Sequence, residues 1–299
     1  AVRQSRGRQP FMTEKSKPVL VTVLAHNEEA RIALCLDSLP LDDLDVQIWV
    51  VVNGSSDSTA EIVRGYTARG VRLADYAEGG KSRSWNRFVL DEAPDAQTYV
   101  FVDGDAQLVA GSVNALRSCL EKSGANAASA VPMNGRNAEH YRRSMVREGG
   151  LFGDCYALSG DFVRRIRTRG IRLPNDLVGD DGLIGALAHT DLGPESAWRH
   201  ELVKVCPDAG FYCEPNRITL KGLRSQSARM VNYAVRRFQN RIITEIMRSE
   251  GPAGLPDNLA EAYPAALPGF KPRLSPQWYW FDRQALARMR AASGSSVGA

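Results

Sequence analysis

Two aspartates one residue apart, Asp103 and Asp105, close the stretch YVFVDGDA (99–106) after a run of apolar residues. Carboxylates at i and i+2, with Gly104 between them to allow a tight turn, can reach one hard cation. Mg2+ or Mn2+ takes one or two protein carboxylates and completes its shell with phosphate oxygens and water. The competing reading is a helix cap, with a helix starting near Ala110-Gly111-Ser112. A second acidic pair, Asp180-Asp181, stands in LPNDLVGDDGLIGALA (173–188). A carboxylate there can take a proton in catalysis or complement a helix macrodipole. In EGGKSRSWN (78–86), paired glycines let backbone approach a ligand, and Lys81 and Arg83 offer positive charge.

The elements that must position these groups alternate regularly. VLVTVLA (19–25) is continuous and β-branched, as a strand buried on both faces should be, and residues 28–39 carry Ile32, Cys35, Leu36 and Leu39 at helical spacing. VQIWVVV (46–52) precedes a helical pattern over 55–66, VRLADY (71–76) reads as a shorter strand before a helix over 83–90, and TYVFV (98–102) is the fourth strand. This alternation predicts an α/β domain, Rossmann-like, with a mostly parallel central sheet and right-handed crossovers. Ligands of such sheets collect beyond the carboxyl ends of the strands. Three of the four strands end in polar clusters, HNEE (26–29), NGSSDS (53–58) and DGDA (103–106), which would share one rim. Amides, cations and paired carboxylates on one rim suit a phosphate-bearing ligand with a bridging metal.

The succession VLAHNEEARI, VVNGSSDSTAEIV, GGKSRSWN and YVFVDGDAQL, over roughly 19–110, resembles the nucleotide-sugar domain of inverting GT-A glycosyltransferases of family 2, the group that includes polysaccharide synthases. The resemblance implies a D-x-D pair at Asp103 and Asp105, with Asp105 the more direct ligand of Mn2+ or Mg2+. It implies a donor site built from Ala25, Asn27, Glu28, Asn53, Asp57, Lys81, Asp103 and Gly104. Many relatives carry two acidic residues where this chain has Val52-Asn53; an amide both donates and accepts, so a UDP-sugar remains the favoured donor. His26 stands where a tyrosine is common and reads as a packing or hydrogen-bonded residue, not a catalyst.

GGLFGDCYALSGDFVRRI (149–166) resembles the segment that shapes the sugar and acceptor pocket of that family, and the resemblance makes Asp181 the catalytic base with Asp180 supporting it. Further on, Gln226 and Arg229 resemble the Q-x-x-R-W motif of the polysaccharide-synthase branch, which flanks acceptor and diphosphate, with Met230 in place of the tryptophan. The expected organisation is a tail at 1–17, a GT-A domain at 18–222 (donor half 18–110, acceptor half 111–222), a helix at 223–250, and a Pro/Gly-rich extended connector leading to an aromatic helix within 251–299, expected over 277–292.

The net charge of +4 is uneven: residues 1–17 and 224–248 are strongly basic, leaving the remainder at about −5. In the second basic stretch Val231, Ala234, Val235, Phe238, Ile242 and Ile246 form an apolar stripe among arginines. That pattern serves either packing on the catalytic domain or an anionic membrane surface. An otherwise acidic body without a recognised motif argues against nucleic acid. Five scattered cysteines without a C-x-x-C pair argue against a disulfide framework and a zinc site. No apolar run approaches the roughly 18–20 residues of a membrane span, and no signal pattern opens the chain, so a cytoplasmic protein is expected, at most peripheral to the inner face of the membrane. The function expected is transfer of a sugar from a nucleotide donor to a hydroxyl of a glycan or lipid-linked glycan. The alternatives are a sugar-phosphate nucleotidylyltransferase, disfavoured because AHNEEAR replaces its glycine-rich loop, and a catalytically silent nucleotide-sugar binding protein.

Overall fold

β1 (Val19–Ala25) is buried along its whole length. Its side chains alternate between two cores: Val19, Val21, Val23 and Ala25 join one apolar cluster, Leu20 and Leu24 the other. A strand with helices on both faces has no solvent side to make polar, which is why its sequence is continuous and not alternating. The computed structural model describes residues 18–135, 137–213 and 220–295. The tail at 1–17 lies outside them, as do 214–219 and the last four residues.

The chain runs β1, α1 (Ile32–Asp37), β2 (Val46–Asn53), α2 (Thr59–Arg64), β3 (Val71–Tyr76), α3 (Lys81–Trp85), β4 (Thr98–Asp103) and β5 (Ala106–Leu108). It continues as α4 (Ser112–Ser123), β6 (Ala127–Pro132), α5 (Ala138–Glu148), β7 (Cys155–Ser159), α6 (Gly160–Arg169), α7 (Asp180–His189) and β8 (Val203–Cys213). α8 (Leu220–Ser249), α9 (Tyr263–Ala266) and α10 (Pro276–Ser295) complete it. One sheet holds all eight strands in the order β3-β2-β1-β4-β7-β6-β8-β5. The expected parallel pairing holds for β1 with β2, β1 with β4 and β2 with β3. Beyond β4 the sheet is mixed: β7 runs antiparallel to both β4 and β6, and β5 antiparallel to β8.

Several expected helices are shorter than their periodicity. Residues 28–31 form a turn before α1, and α2 begins only at Thr59, because the intervening polar side chains bond across the rim instead of continuing the helix. Ser55 and Ser56 bond to Asn27, and Asp57 accepts from the backbone N–H of Glu29 and Thr59. α3 passes into a π-helical stretch, Asn86–Glu92. The connector expected to be extended instead carries tight 3-10 turns at Gly251–Gly254, Leu259–Ala262 and Leu267–Gly269, besides α9.

One cluster lies among α1, α2, α4 and the sheet; the other contains Trp85, Phe88, Phe162, Leu183, Phe238, Leu286 and Met289, from helices α3 through α10. The apolar stripe of α8 belongs to this second cluster. Ala234, Val235, Phe238 and Ile242 are buried in it, and each fully buried large side chain contributes about 1.5–3 kcal/mol. The stripe is therefore a packing face and not a lipid-facing one. Among the described residues, no helix is long and apolar enough to cross a membrane. The five cysteines are free, and Cys35, Cys155 and Cys206 are buried.

Candidate active site

The chain leaves β1 for β2 and β3 on one side and returns to place β4 on the other, so β1/β4 is the point where strand order reverses. A crevice forms there beyond the carboxyl ends of the strands. The crevice is a pocket of about 490 Å³ lined by Leu24, His26, Glu28, Asn53, Gly80, Lys81, Asp103, Gly104 and Asp105, with Asn232 and Arg288 from the C-terminal helices. A larger, more apolar groove of about 650 Å³ lies between α8 and residues 262–270. None of the sequence candidates lines it, so size does not mark the site here.

Gly104 is required by proximity. A Cβ on it would stand 2.9 Å from Ala25 Cβ, 3.2 Å from Ala25 Cα and 3.3 Å from Glu28 Cγ. Its N–H donates to Leu24 O (2.9 Å), which pins the turn after β4 onto the end of β1. The Asp-Gly-Asp turn leads into β5, and the N-cap position of α4 is Gly111, so the two aspartates do not cap that helix.

Antiparallel pairing supplies a third carboxylate. β7 begins where β4 ends, Cys155 opposite Val102, and Asp103 N donates to Asp154 O (3.0 Å). Carboxylate oxygens of Asp103, Asp105 and Asp154 all lie within 4.8 Å of one another. Burial raises the Asp103 carboxyl above the usual range against the pull of Lys81, with Asp154 adding to the rise. Asp154 is raised by burial and by Asp105. Glu28 is pushed up to about 7 by burial and Asp105, opposed by Arg31. An all-oxygen set of crowded, half-buried carboxylates fits a hard divalent cation, and Asp103, Asp105 and Asp154 are the residues able to hold it.

Cations from neighbouring elements balance this charge. Lys81 Nζ lies 2.6 Å from Asp103 Oδ1 and 3.5 Å from Asp180 Oδ1. Desolvation opposes its charge, yet Asp103 and Asp180 hold its pKa well above the ordinary lysine value. Its place is fixed by α3: Ser82 Oγ donates to Leu177 O (3.1 Å), and buried Asn86 exchanges bonds with the backbone of Leu173. Arg31 bonds Glu28 and reaches Asp105 at 3.3 Å.

α7 opens with the second acidic pair. Asp180 is buried, and its Oδ2 has no hydrogen-bond partner among the described residues. Asp181 Oδ2 accepts from Arg236 Nη2 (2.9 Å), and the Cα of Gly153 abuts its carboxylate, where an added Cβ would come 3.3 Å from Cγ. Gly179, at φ +86°, must lack a side chain because Arg236 lies across it, 2.5 Å from where a Cβ would be. Arg236 thus reaches over the start of α7 to its carboxylate.

The remaining candidates separate into rim and pocket. The Asn53 amide is taken up by backbone, donating to Ala25 O (3.0 Å) and accepting from Gly80 N (3.3 Å). His26 Nδ1 meets Asn53 O at 2.6 Å, in keeping with a hydrogen-bonded role. Ala25 is buried at the strand end; Asn27, at φ 55°, and Asp57 tie the first two loops together outside the pocket lining. Against a desolvation penalty, the Thr59 hydroxyl and backbone N–H groups lower the Asp57 pKa. Gln226 and Arg229 are exposed on α8 and do not line the pocket. Asn232 and Arg236, three and seven residues beyond Arg229 on the same helical face, are the α8 residues that reach the site. Asp154, Asn232, Arg236 and Arg288 escaped the sequence reading. Of these only Asp154 had a visible signal, an acid immediately before the apolar run Cys155–Leu158 within the segment that resembles the family's acceptor pocket.

A mixed sheet with flanking helices, whose crevice of carboxylates and cations at a strand-order reversal is faced by an acidic helix start, is the GT-A architecture. The chain belongs to glycosyl transferase family 2, whose family model matches residues 20–176. Mannosyltransferase PcManGT from Pyrobaculum calidifontis, solved with GDP-Man and Mn2+, superposes with a TM-score of 0.61 at 21% identity, over 94% of this chain and 75% of that one. TarS 1-349 of S. aureus with UDP-GlcNAc gives 0.54 at 17% identity, over 92% and 81% of the two chains. Glucosyl-3-phosphoglycerate synthase from Mycobacterium tuberculosis, with Mn2+ and UDP-glucose, gives 0.51 at 21% identity, over 88% and 85%. At these identities the likeness is one of fold. In sequence, 4,4'-diaponeurosporenoate glycosyltransferase of Staphylococcus aureus (strain bovine RF122 / ET3-1) is 34% identical over 92 residues, 30% of this chain and 24% of that relative.

Proposed function

We propose that this protein is a metal-dependent, inverting glycosyltransferase that moves a sugar from a UDP-sugar to a hydroxyl of a glycan or lipid-linked glycan. The observation that carries the reading is the linkage, through Lys81, of the carboxylates after β4 to the acidic start of α7. One side suits a donor diphosphate with its cation, the other a proton acceptor. Asp103, Asp105 and Asp154 would hold Mn2+ or Mg2+, which supplies charge neutralisation for the departing diphosphate.

The chain's own groups account for the rest. The Asp181 carboxylate takes the acceptor hydroxyl's proton as that oxygen bonds to the sugar's anomeric carbon. The bond from the anomeric carbon to the phosphate oxygen breaks in the same displacement, and its electron pair leaves with the nucleoside diphosphate. Attack and departure on opposite sides invert the anomeric centre, with no covalent enzyme intermediate. Arg236 orients the Asp181 carboxylate through its hydrogen bond, and Asp180 holds Lys81 beside Asp103. Glu28 and Asn53 line the nucleoside end of the pocket, Asn27 and Asp57 support it by joining the first two loops, and Gln226 and Arg229 extend the α8 face towards the acceptor. Residues 18–110 serve the donor and 111–222 the acceptor, while 223–250 and 251–299 are helical additions. Any contact with an anionic membrane would use the arginines of α8, since its apolar face is buried; co-sedimentation with phosphatidylglycerol vesicles tests it.

The UDP assignment draws support from the uridine donors of two structural neighbours, while GDP-Man in the third makes guanosine the main competitor. The test is nucleotide release from UDP-, GDP- and dTDP-sugars with Mn2+, with and without candidate acceptors. Release that disappears with chelator and in Asp105→Ala is expected. Absence of release from every donor would sink the proposal.

A further inference from the structure

The cations around the pocket are not equivalent. Lys81 is shared between Asp103 and Asp180, Arg31 between Glu28 and Asp105, and Arg236 is bonded to Asp181. Arg288 of α10 also lines the pocket, but its hydrogen bond goes to a neutral group: Nη1 donates to Asn232 Oδ1 at 2.8 Å. Among the described residues no carboxylate forms a salt bridge with it, and its Nε and Nη2 form no hydrogen bond there. A guanidinium on a helix surface is usually just solvated. Arg288 is itself exposed, but its guanidinium is held by Asn232 and the helix that carries it is fixed in place. Ala285, Leu286 and Met289 on either side of it are buried in the core, and nearly two turns earlier buried Asp282 is locked to Arg273.

We infer that Arg288 is a diphosphate-binding catalytic residue, oriented by Asn232, so that α10 completes the donor pocket. The inference rests on the nucleotide-sugar reading above. A guanidinium already held by a neutral amide meets the donor without first breaking an ion pair, unlike Lys81. Its free N–H groups match two phosphate oxygens in a planar fork, which an ammonium does not reproduce. As the anomeric bond breaks, charge gathers on the phosphate oxygen and those hydrogen bonds strengthen, so the group favours departure as well as binding. The donor pocket is then not contained in residues 18–110: its last cation arrives 178 positions beyond residue 110.

The test uses the full chain and titrates UDP, GDP and dTDP by calorimetry with Mn2+, alongside turnover. Arg288→Ala should weaken binding of the preferred nucleoside diphosphate by about 10- to 100-fold and lower kcat, as loss of charge-assisted hydrogen bonds predicts. Binding of the corresponding nucleoside and of Mn2+ alone should not change. Arg288→Lys should recover only part of the loss, Asn232→Ala should give an intermediate loss, and Arg283→Ala, an exposed arginine of the same helix, should match wild type. Melting temperatures identify any variant that fails to fold, and Arg288→Lys serves as the reading if Arg288→Ala does. Binding and turnover within twofold of wild type in Arg288→Ala overturn the inference, as does failure of wild type to bind any of the three diphosphates. If wild type binds a diphosphate through Arg288 but transfers no sugar, the transferase reading and the catalytic half of the assignment fail, and Arg288 stands as a diphosphate-binding residue only. If Asp105→Ala abolishes turnover while Arg288→Ala does not alter it, the reverse holds.

Discussion

Gly104 and Asp154 decide the geometry of the carboxylate cluster, one by what it lacks and the other by what it adds. With Ala25 Cβ 2.9 Å from where a Cβ would stand, Gly104→Ala must push the turn away from β1. We expect a loss of about 1–3 kcal/mol in urea unfolding, typical of overpacking, and weaker Mn2+ binding because Asp103 and Asp105 move with the turn. Asp154→Asn keeps the shape but removes a charge from the set. Its Mn2+ affinity, measured by calorimetry without nucleotide, should fall about 10-fold or more while the melting temperature holds; unchanged affinity would place Asp154 outside the ion's shell. Asp181→Asn should lower kcat by about 10²-fold or more, the usual scale of general-base loss, and leave nucleoside diphosphate binding intact. A parallel loss of binding would instead make Asp181 part of the donor pocket.

At the scale of elements, the loop 173–179 is where the separate pieces are joined. Leu173 and Leu177 receive α3, Val178 N donates to the buried Gln239 of α8 (2.8 Å), and the Asp176 carboxylate accepts from Leu259 and Ala260 N–H. The acidic start of α7 follows directly, so the proposed base, Asp181, is positioned by contacts from three directions. α10 is held by its core face and by Asp282, which accepts from Arg273 N, Nε and Nη2 at 2.7–2.9 Å. Burial opposes the Asp282 charge, but the Arg273 bonds outweigh it and hold the pKa below the usual carboxylate value. A folded-state pKa below the unfolded one means stability that is complete above about pH 4 and lost as pH falls through the folded value. Asp282→Asn should therefore destabilise at pH 7, by about 3–5 kcal/mol for a broken buried pair, and the gap from wild type should narrow below pH 4. Thermal melts at pH 7 and pH 3 check this; a gap independent of pH would mean the charge contributes nothing.

For the whole molecule, the second core ties the ends of the described chain together, from Leu20 in β1 through Phe238 in α8 to Met289 in α10. Separate unfolding of the C-terminal helices would expose that face of the sheet. Urea unfolding should accordingly be a single transition in which buried Trp85 and exposed Trp280, each read as the one remaining tryptophan, report the same midpoint. An earlier midpoint at Trp280 would show α10 to be an independent, detachable cover of the donor pocket.

The sequence by itself determined the elements whose signals are local. A strand buried on both faces must be apolar throughout, so β1, β2 and β4 were readable, and polar residues at their ends marked the rim where Asp103, Asp105 and Lys81 stand. The acidic start of α7 was equally visible. What only the tertiary structure decided is which distant residues meet there. Asp154 joins the carboxylates because β7 runs antiparallel to β4, and pairing direction leaves no mark in a strand's own composition. On α8, local resemblance pointed to Gln226 and Arg229, while the angle at which the helix docks brings Asn232 to the pocket lining and Arg236 to Asp181. The stripe that fitted a lipid surface proved to be core because α10 and the 259–270 turns cover it. Periodicity states that a face must be buried; the partner that buries it is chosen by the packing of the whole chain.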